Sequence, residues 1–298
     1  MFIRHPTTLM NPNLLQKIKS PAPAWLPGPR TLLRLSGADR LRFLNGQVTQ
    51  DLKKLIPGSA IRSAIITSKG RLEADLHIAA TPDSLLIETD FSLRESIRSR
   101  IEKFIVADDV TVEDISSSYT LAHFPTLTSP PSHAPADALH FLCPRFREPG
   151  IDLWIPSTSS WKPAASPLPD WEPLRIARGL PLWGVDVGPD TLPPEAGFES
   201  DAISSTKGCY IGQEVISRLR SVGHVNRHLC VLGTSDPAPK RMGECTTSDG
   251  LVVGKMSSLA SDVNLPGLVA LAMIKREHAI VGNSLLAEGA SWTILRHA

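Results

Sequence analysis

Between Ala60 and Ile115 the hydrophobic period of the chain changes from two residues to 3.6 and back to two, and this change restricts the folds open to it. Ala60 to Thr67 reads as a strand, Ser68-Lys69-Gly70 as a turn, Arg71 to Ala79 as a strand with strict alternation, and Ser84 to Thr89 as a third strand. Leu93, Ile97, Ile101, Phe104 and Ile105 then share one helical face, Arg94, Arg98, Glu102 and Lys103 occupy the other, and Val110 to Ile115 returns to strand. Strand-strand-strand-helix-strand with short connections predicts a mostly antiparallel sheet covered by a helix. The fold class is therefore α+β and not a doubly wound parallel sheet.

The flanks add two more parts. Leu32, Leu33 and Leu35 predict a strand, followed by a helix from Ala38 to Asn45 that leaves at Gly46. Proline and serine break all periodicity from Pro125 to Pro135 and from Pro156 to Pro173, in a chain with 26 prolines, so these stretches read as surface excursions or linkers. Asp170 is placed to cap a helix running through Leu174 to Arg178. After Gly223, short β-prone runs at Leu229 to Leu232, Leu251 to Val253, Leu268 to Met273 and Trp292 to Leu295 predict a small barrel.

Composition excludes several classes of function. A net charge of +1 offers no large surface for nucleic acid, and 5% aromatic residues argue against a base-stacking RNA binder. The four cysteines, Cys143, Cys209, Cys230 and Cys245, form no CxxC pair, which makes the chain a poor holder of its own zinc or iron-sulfur cluster, and no metal site is expected. No apolar run reaches membrane-spanning length. Arg4, Lys17, Lys19, Arg30 and Arg34 all precede the first acid, Asp39, which raises a mitochondrial presequence. One arginine in the first 29 residues and several prolines count against it, so the expected compartment is the cytoplasm, with the mitochondrial matrix as alternative. Neutral charge and no evident coiled coil lean towards a monomer.

The densest chemistry lies in Lys207-Gly208-Cys209-Tyr210-Ile211-Gly212-Gln213-Glu214. Gly208 and Gly212 suggest backbone conformations closed to other residues, and a helix starts at Gln213 with Val215, Ile216 and Leu219 on one side. Cys209 falls about one turn before that helix. There the dipole favours a thiolate, and Lys207 adds to the effect if it points the same way. A small buried cysteine in a glycine turn fits the same residue types. Upstream lie Arg175-Ile176-Ala177-Arg178-Gly179-Leu180-Pro181-Leu182-Trp183-Gly184-Val185-Asp186 and Leu192-Pro193-Pro194-Glu195-Ala196-Gly197. Near the N-terminus lie Phe43-Leu44-Asn45-Gly46-Gln47-Val48-Thr49-Gln50-Asp51, then Lys69-Gly70-Arg71 with Asp75.

In this order, over about residues 30 to 228, these elements resemble the YgfZ-type folate-binding proteins, the iron-sulfur-linked branch of the glycine-cleavage T-protein (aminomethyltransferase) superfamily. The resemblance implies a three-lobed ring: a first α+β lobe from residues 1–55 and 117–225, an α+β lobe inserted at 56–116, and a C-terminal β-barrel at 226–298, with tetrahydrofolate in the central hole. It places Asp75 where the T-protein has its catalytic aspartate. From the residues alone, Arg71, Glu73, Asp75 and His77 are equally the solvated face of a half-buried strand. It assigns Glu195 to the pterin, whose adjacent N–H donors one carboxylate accepts as a pair; the alternative is an exposed turn.

Arg218, Arg220 and Arg227 are candidates for the anionic tail of folate, although arginines near helix C-termini are common for dipole reasons alone. His224 and His228 read as ordinary surface or packing histidines. Two functions follow from the resemblance. One is a tetrahydrofolate-binding accessory protein for iron-sulfur cluster assembly or repair in client enzymes, tRNA-modifying enzymes included, with Cys209 as its key group and transient assembly or client proteins as partners. The other is a tetrahydrofolate-dependent aminomethyl- or methyltransferase that uses Asp75.

Overall fold

The computed structural model describes residues 12–19, 24–165, 168–221, 223–235, 241–261 and 267–298; Arg4 and part of the stretch from Pro156 to Pro173 lie outside them. The chain divides into two compact units. One comprises Pro21–Leu168 and Phe198–Val222; the other comprises Met1–Ser20, Pro169–Gly197 and Gly223–Ala298.

The first unit begins with β1 (Arg30–Ser36) and α1 (Arg40–Gln47), then β2 (Ala60–Ile66), β3 (Leu72–Ala80), β4 (Leu85–Asp90), α2 (Arg94–Glu102) and β5 (Thr111–Asp114). The expected strand-strand-strand-helix-strand order is present, and every pairing is antiparallel. The sheet order is β2-β3-β4-β1-β5, so β1 lies between β4 and β5 and completes the sheet of the segment expected as an insertion. Helix α1 runs through Gly46 and ends at Val48, where the backbone turns extended; Gly46 has no left-handed conformation to stop it earlier. Ile97 and Ile101 are the buried residues of α2, as its apolar face predicts.

A second sheet was not legible from the sequence. Strands β6 (Tyr119–Pro125), β7 (Leu139–Leu142) and β8 (Gly150–Pro156) form an antiparallel sheet in the order β6-β8-β7. Leu121, Phe141, Cys143 and Trp154 share one buried cluster with Leu32, Ala60, Ala79 and Leu86 of the five-stranded sheet. The two sheets thus close over a common core.

In the other unit α3 spans Leu168–Ala177, and Asp170 sits in its first turn instead of capping a later start. Helix α4 (Gln213–Ser221) belongs to the first unit. Strands β9 (Arg227–Thr234), β10 (Glu244–Thr246), β11 (Val252–Ser261), β12 (Leu268–Lys275), β13 (Ser284–Ala287) and β14 (Ala290–His297) close the expected barrel in the order β10-β11-β12-β9-β14-β13. Leu232, Val253, Ala270, Ile274, Trp292 and Ile294 fill it, alternating with outward residues along each strand. The fold class is mixed α/β with a closed C-terminal β-barrel.

Candidate functional site

The segment after α1 is the hub of the first unit. Thr49 N–H donates to Ala64 O of β2 (3.0 Å), its hydroxyl donates to Ala202 O (2.7 Å), and Gln50 Nε2 donates to Asp201 O (2.9 Å). Lys207 completes this hub from the other motif. Its ammonium is buried and donates to the carbonyls of Asn45 (2.7 Å), Val48 (2.6 Å) and Gln50 (2.7 Å), which satisfies all three N–H bonds. Burial pulls its pKa down to about 8, opposed by Asp51, so it stays protonated at neutral pH. Lys207 therefore does not point with Cys209: one side chain is buried against α1, the other exposed. Its role is to pin the KGCYIGQE segment to the FLNGQVTQD segment, and Tyr210 packs its ring 5.1 Å from the ammonium.

The two glycines separate on inspection. Gly212 has φ of +83°, and an added Cβ would lie 2.4 Å from Thr67 O and within 3 Å of the Ile66 side chain. Gly208 has no such conformation, and a Cβ there would meet open space, so only Gly212 carries the steric requirement. Gln213 opens α4 as expected. Cys209 is the one exposed thiol among the four free cysteines. Burial pushes Cys230 and Cys245 up to about 12 and raises Cys143 well above the ordinary thiol value. A thiol presented outward on a loop anchored at both ends can act as a nucleophile, a redox group or a transient metal ligand.

The polar face of β3 is partly exposed and ion-paired. Glu73 pairs with Arg100 of α2, and His77 Nδ1 accepts from Arg145 (3.0 Å). Asp75 takes a two-pronged bond from Arg62 of β2, Nε to Oδ1 at 3.0 Å and Nη2 to Oδ2 at 2.8 Å. Arg62 is 8% exposed, stacks 4.1 Å over Phe198 and donates a further bond to Asp201 (3.1 Å). Burial opposes its charge, yet Asp75 and Asp201 more than offset this and raise its pKa. Asp75 is thus half of a neutralised pair, with both oxygens engaged, and not a free carboxylate. Arg62 and Asp201 were missed by sequence reasoning; a lone charged residue in the run Ala60 to Ile66 was the available signal.

Glu195 lies in the other unit, on a short 3-10 helix, Pro193–Ala196, and is 4% exposed. It is no exposed turn. Oε2 accepts the Leu192 N–H (2.9 Å), and Arg227, the first residue of β9, faces both oxygens with Nε to Oε1 at 3.0 Å and Nη2 to Oε2 at 3.1 Å. In the same unit Arg175 donates to Asp186 (2.8 Å), Leu180 O (2.6 Å) and Ser258 (2.7 Å), so the arginine and aspartate flanking Gly179 to Gly184 form a buried structural pair. Arg218 is 70% exposed and pairs with Glu214 one helical turn back, and Arg220 pairs with Glu199. Asp75, Lys207, Cys209, Arg218 and Arg220 therefore belong to one unit, Glu195 and Arg227 to the other. Among the described residues no cluster of three or more His, Cys, Asp or Glu is arranged to hold a metal ion, and no helix is long and apolar enough to cross a membrane.

Comparison with known proteins gives the context of these motifs. A tRNA-modifying protein YgfZ of Yersinia enterocolitica is 25% identical over 70% of this chain and 70% of its own length. The human mitochondrial iron-sulfur cluster assembly factor IBA57 is 27% identical over 79% of this chain and 74% of its own. The sequence is similar to YgfZ and IBA57 proteins over 70% or more of its length. A chloroplastic Arabidopsis thaliana protein described as a transferase is 28% identical over 85% of the chain, and the match spans about two thirds (65%) of that relative's length. The glycine cleavage system aminomethyltransferase T of Bartonella henselae superposes with a TM-score of 0.76 at 16% identity over 97% of this chain and 90% of its own, which establishes the shared fold. No family model matches the chain. In this chain the octapeptide 207–214 is a pinned loop that exposes one thiol.

Proposed function

We propose that this chain binds tetrahydrofolate and supports the assembly or repair of iron-sulfur clusters in client enzymes, tRNA-modifying enzymes among them, through transient contact with those enzymes or their assembly proteins. The observation that carries the reading is Cys209: an exposed thiol on a segment held by Lys207 and Gly212, while the other three thiols are buried. The names of the YgfZ and IBA57 relatives support it. The donor set suits folate at one point. Glu195 is a fixed, buried carboxylate that already accepts N–H donors from Leu192 and from Nη2 of Arg227, the kind of donor a pterin edge presents. A bound tetrahydrofolate would supply a one-carbon carrier; Glu195 would orient its pterin. We place the protein in the cytoplasm as a monomer acting without direct nucleic-acid contact.

A tetrahydrofolate-dependent aminomethyltransferase on this fold would need Asp75 as a free carboxylate beside the transferred group. The Arg62 fork on both its oxygens weighs against that reading. Complementation of a deletion strain tests the choice: Cys209→Ala should fail to restore iron-sulfur enzyme activity while the purified variant still binds tetrahydrofolate. Full restoration by Cys209→Ala would sink the proposal, and turnover of an aminomethyl donor by the purified protein would favour the transferase.

A further inference from the structure

The barrel unit carries a charged cleft of its own. β9 starts at Arg227 opposite Lys275, the last residue of β12, and the Arg276 N–H donates to the Asn226 carbonyl (2.9 Å). The residues just before β9 and just after β12 therefore lie side by side. They border a cleft of about 360 Å³ lined by His224, Asn226, Lys275, Arg276 and Glu277, all of them exposed. Arg30, Arg62, Arg145 and Arg175 are each spent on carboxylates. By contrast, the side chains of Arg276, His224 and Glu277 make no hydrogen bond or ion pair among the described residues. Lys275 Nζ donates once, to the Val252 carbonyl (3.1 Å), which leaves it two N–H donors.

This set of groups suits a polypeptide. A phosphate offers acceptor oxygens only, so it gains from Arg276 and Lys275 but is repelled by Glu277. An acidic peptide offers carboxylates to the two cations, backbone N–H to Glu277, and a peptide group to the Asn226 amide, which both donates and accepts. The surroundings are apolar. Leu251 and Val252 are 51% and 42% exposed beside Lys275, and Ile280 and Val281, 55% and 53% exposed, follow the short 3-10 helix Arg276–His278. A net charge of +1 and 5% aromatic residues give the cleft no wider basic or stacking surface for RNA. We propose that this cleft docks a partner protein through an acidic segment with interspersed apolar residues, its carboxylates held by Arg276 and Lys275. This deepens the partner side of the proposed function and rests on it for the partner's role, while the docking itself needs neither folate nor Cys209.

Amide shifts of the isotope-labelled full chain, read by NMR during titration with the peptide acetyl-Glu-Leu-Asp-Glu-Leu-Asp-amide, test the cleft. Saturable shifts centred on residues 224–227 and 275–281 are expected. The Gln/Asn analogue of the peptide should bind about tenfold more weakly. Arg276→Glu should also weaken the acidic peptide by about tenfold, since it replaces an attraction by a repulsion, and Lys275→Gln by about threefold. Lys103→Glu, a charge reversal at an exposed position of the other unit, should leave the affinity unchanged. Inorganic phosphate and an octauridylate form separate arms; either one binding at these residues as tightly as the acidic peptide overturns the proposal in favour of a plain anion site or an RNA contact. Equal binding of the acidic and amide peptides, no effect of Arg276→Glu, or no saturable shift at about 5 mM peptide overturns it as well. Complementation by Cys209→Ala judges the proposed function separately, so failure of the cleft and failure of that function are told apart.

Discussion

Three residues of the signature segment divide its work. Lys207 is structural, Gly212 is steric, and Cys209 is what they present. The strain at Gly212 makes a direct prediction: Gly212→Ala forces a left-handed alanine against Thr67 O and should cost about 2–3 kcal/mol in urea unfolding. Gly208→Ala, facing open space, should stay within about 0.5 kcal/mol of wild type. The glycines are alike in sequence, and only the backbone of β2 passing beside Gly212 distinguishes them. Lys207 was legible as a charged neighbour of Cys209, but the three carbonyls that absorb its charge come from a segment about 160 residues away.

At the scale of elements, β3 shows how far alternation reaches. Period two correctly separates Leu72, Ala74, Leu76 and Ile78 from Glu73, Asp75 and His77. It says nothing of what covers the second face, and here Arg62, Arg145 and Asp201 do. The β6-β8-β7 sheet escaped notice because β8 is buried on both faces and shows no period, and proline-rich loops flank it. That sheet holds a buried charge network. Arg145 forks onto Asp152 (3.1 and 2.6 Å) and reaches Glu88 (2.9 Å), Arg30 also binds Glu88, and His123 Nδ1–H donates to Asp152 (2.8 Å).

Burial lowers the His123 pKa below its ordinary 6.5, against the pull of Asp152, and its Nε2 has no partner among the described residues. Neutral His123 in the folded state means that unfolding takes up a proton below pH 6.5. Its contribution to stability is therefore present above 6.5 and lost as pH falls from there through the folded value, at no more than about 1.4 kcal/mol per pH unit. Asp152 and Glu88 are themselves desolvated, yet their arginines hold both below their ordinary values, so their contribution is lost only as pH falls below about 4. Urea unfolding between pH 7.5 and 5 should show the first decline, and His123→Gln should flatten it; an unchanged slope would refute the assignment.

For the whole molecule, two units each enclose a core, and chain segments alternate between them: 169–197 and 223–298 build the barrel unit, while 198–222 returns to the sheets. Trp292 is 1% exposed inside the barrel, its indole N–H donating to Ala287 O (3.3 Å). Trp292→Ala should cost about 3–5 kcal/mol and strip hydrogen-exchange protection from β9, β12 and β14. By itself the sequence determined the strand-strand-strand-helix-strand layer, the barrel and the motif order, because side-chain period and turn residues are local properties. Only the tertiary structure decided which charges are spent. Asp75 on Arg62, Glu195 on Arg227 and Lys207 on three carbonyls are satisfied by partners distant in sequence, whereas Cys209 faces outward. A buried charge must find its counterpart wherever folding brings one, and no local pattern records that choice.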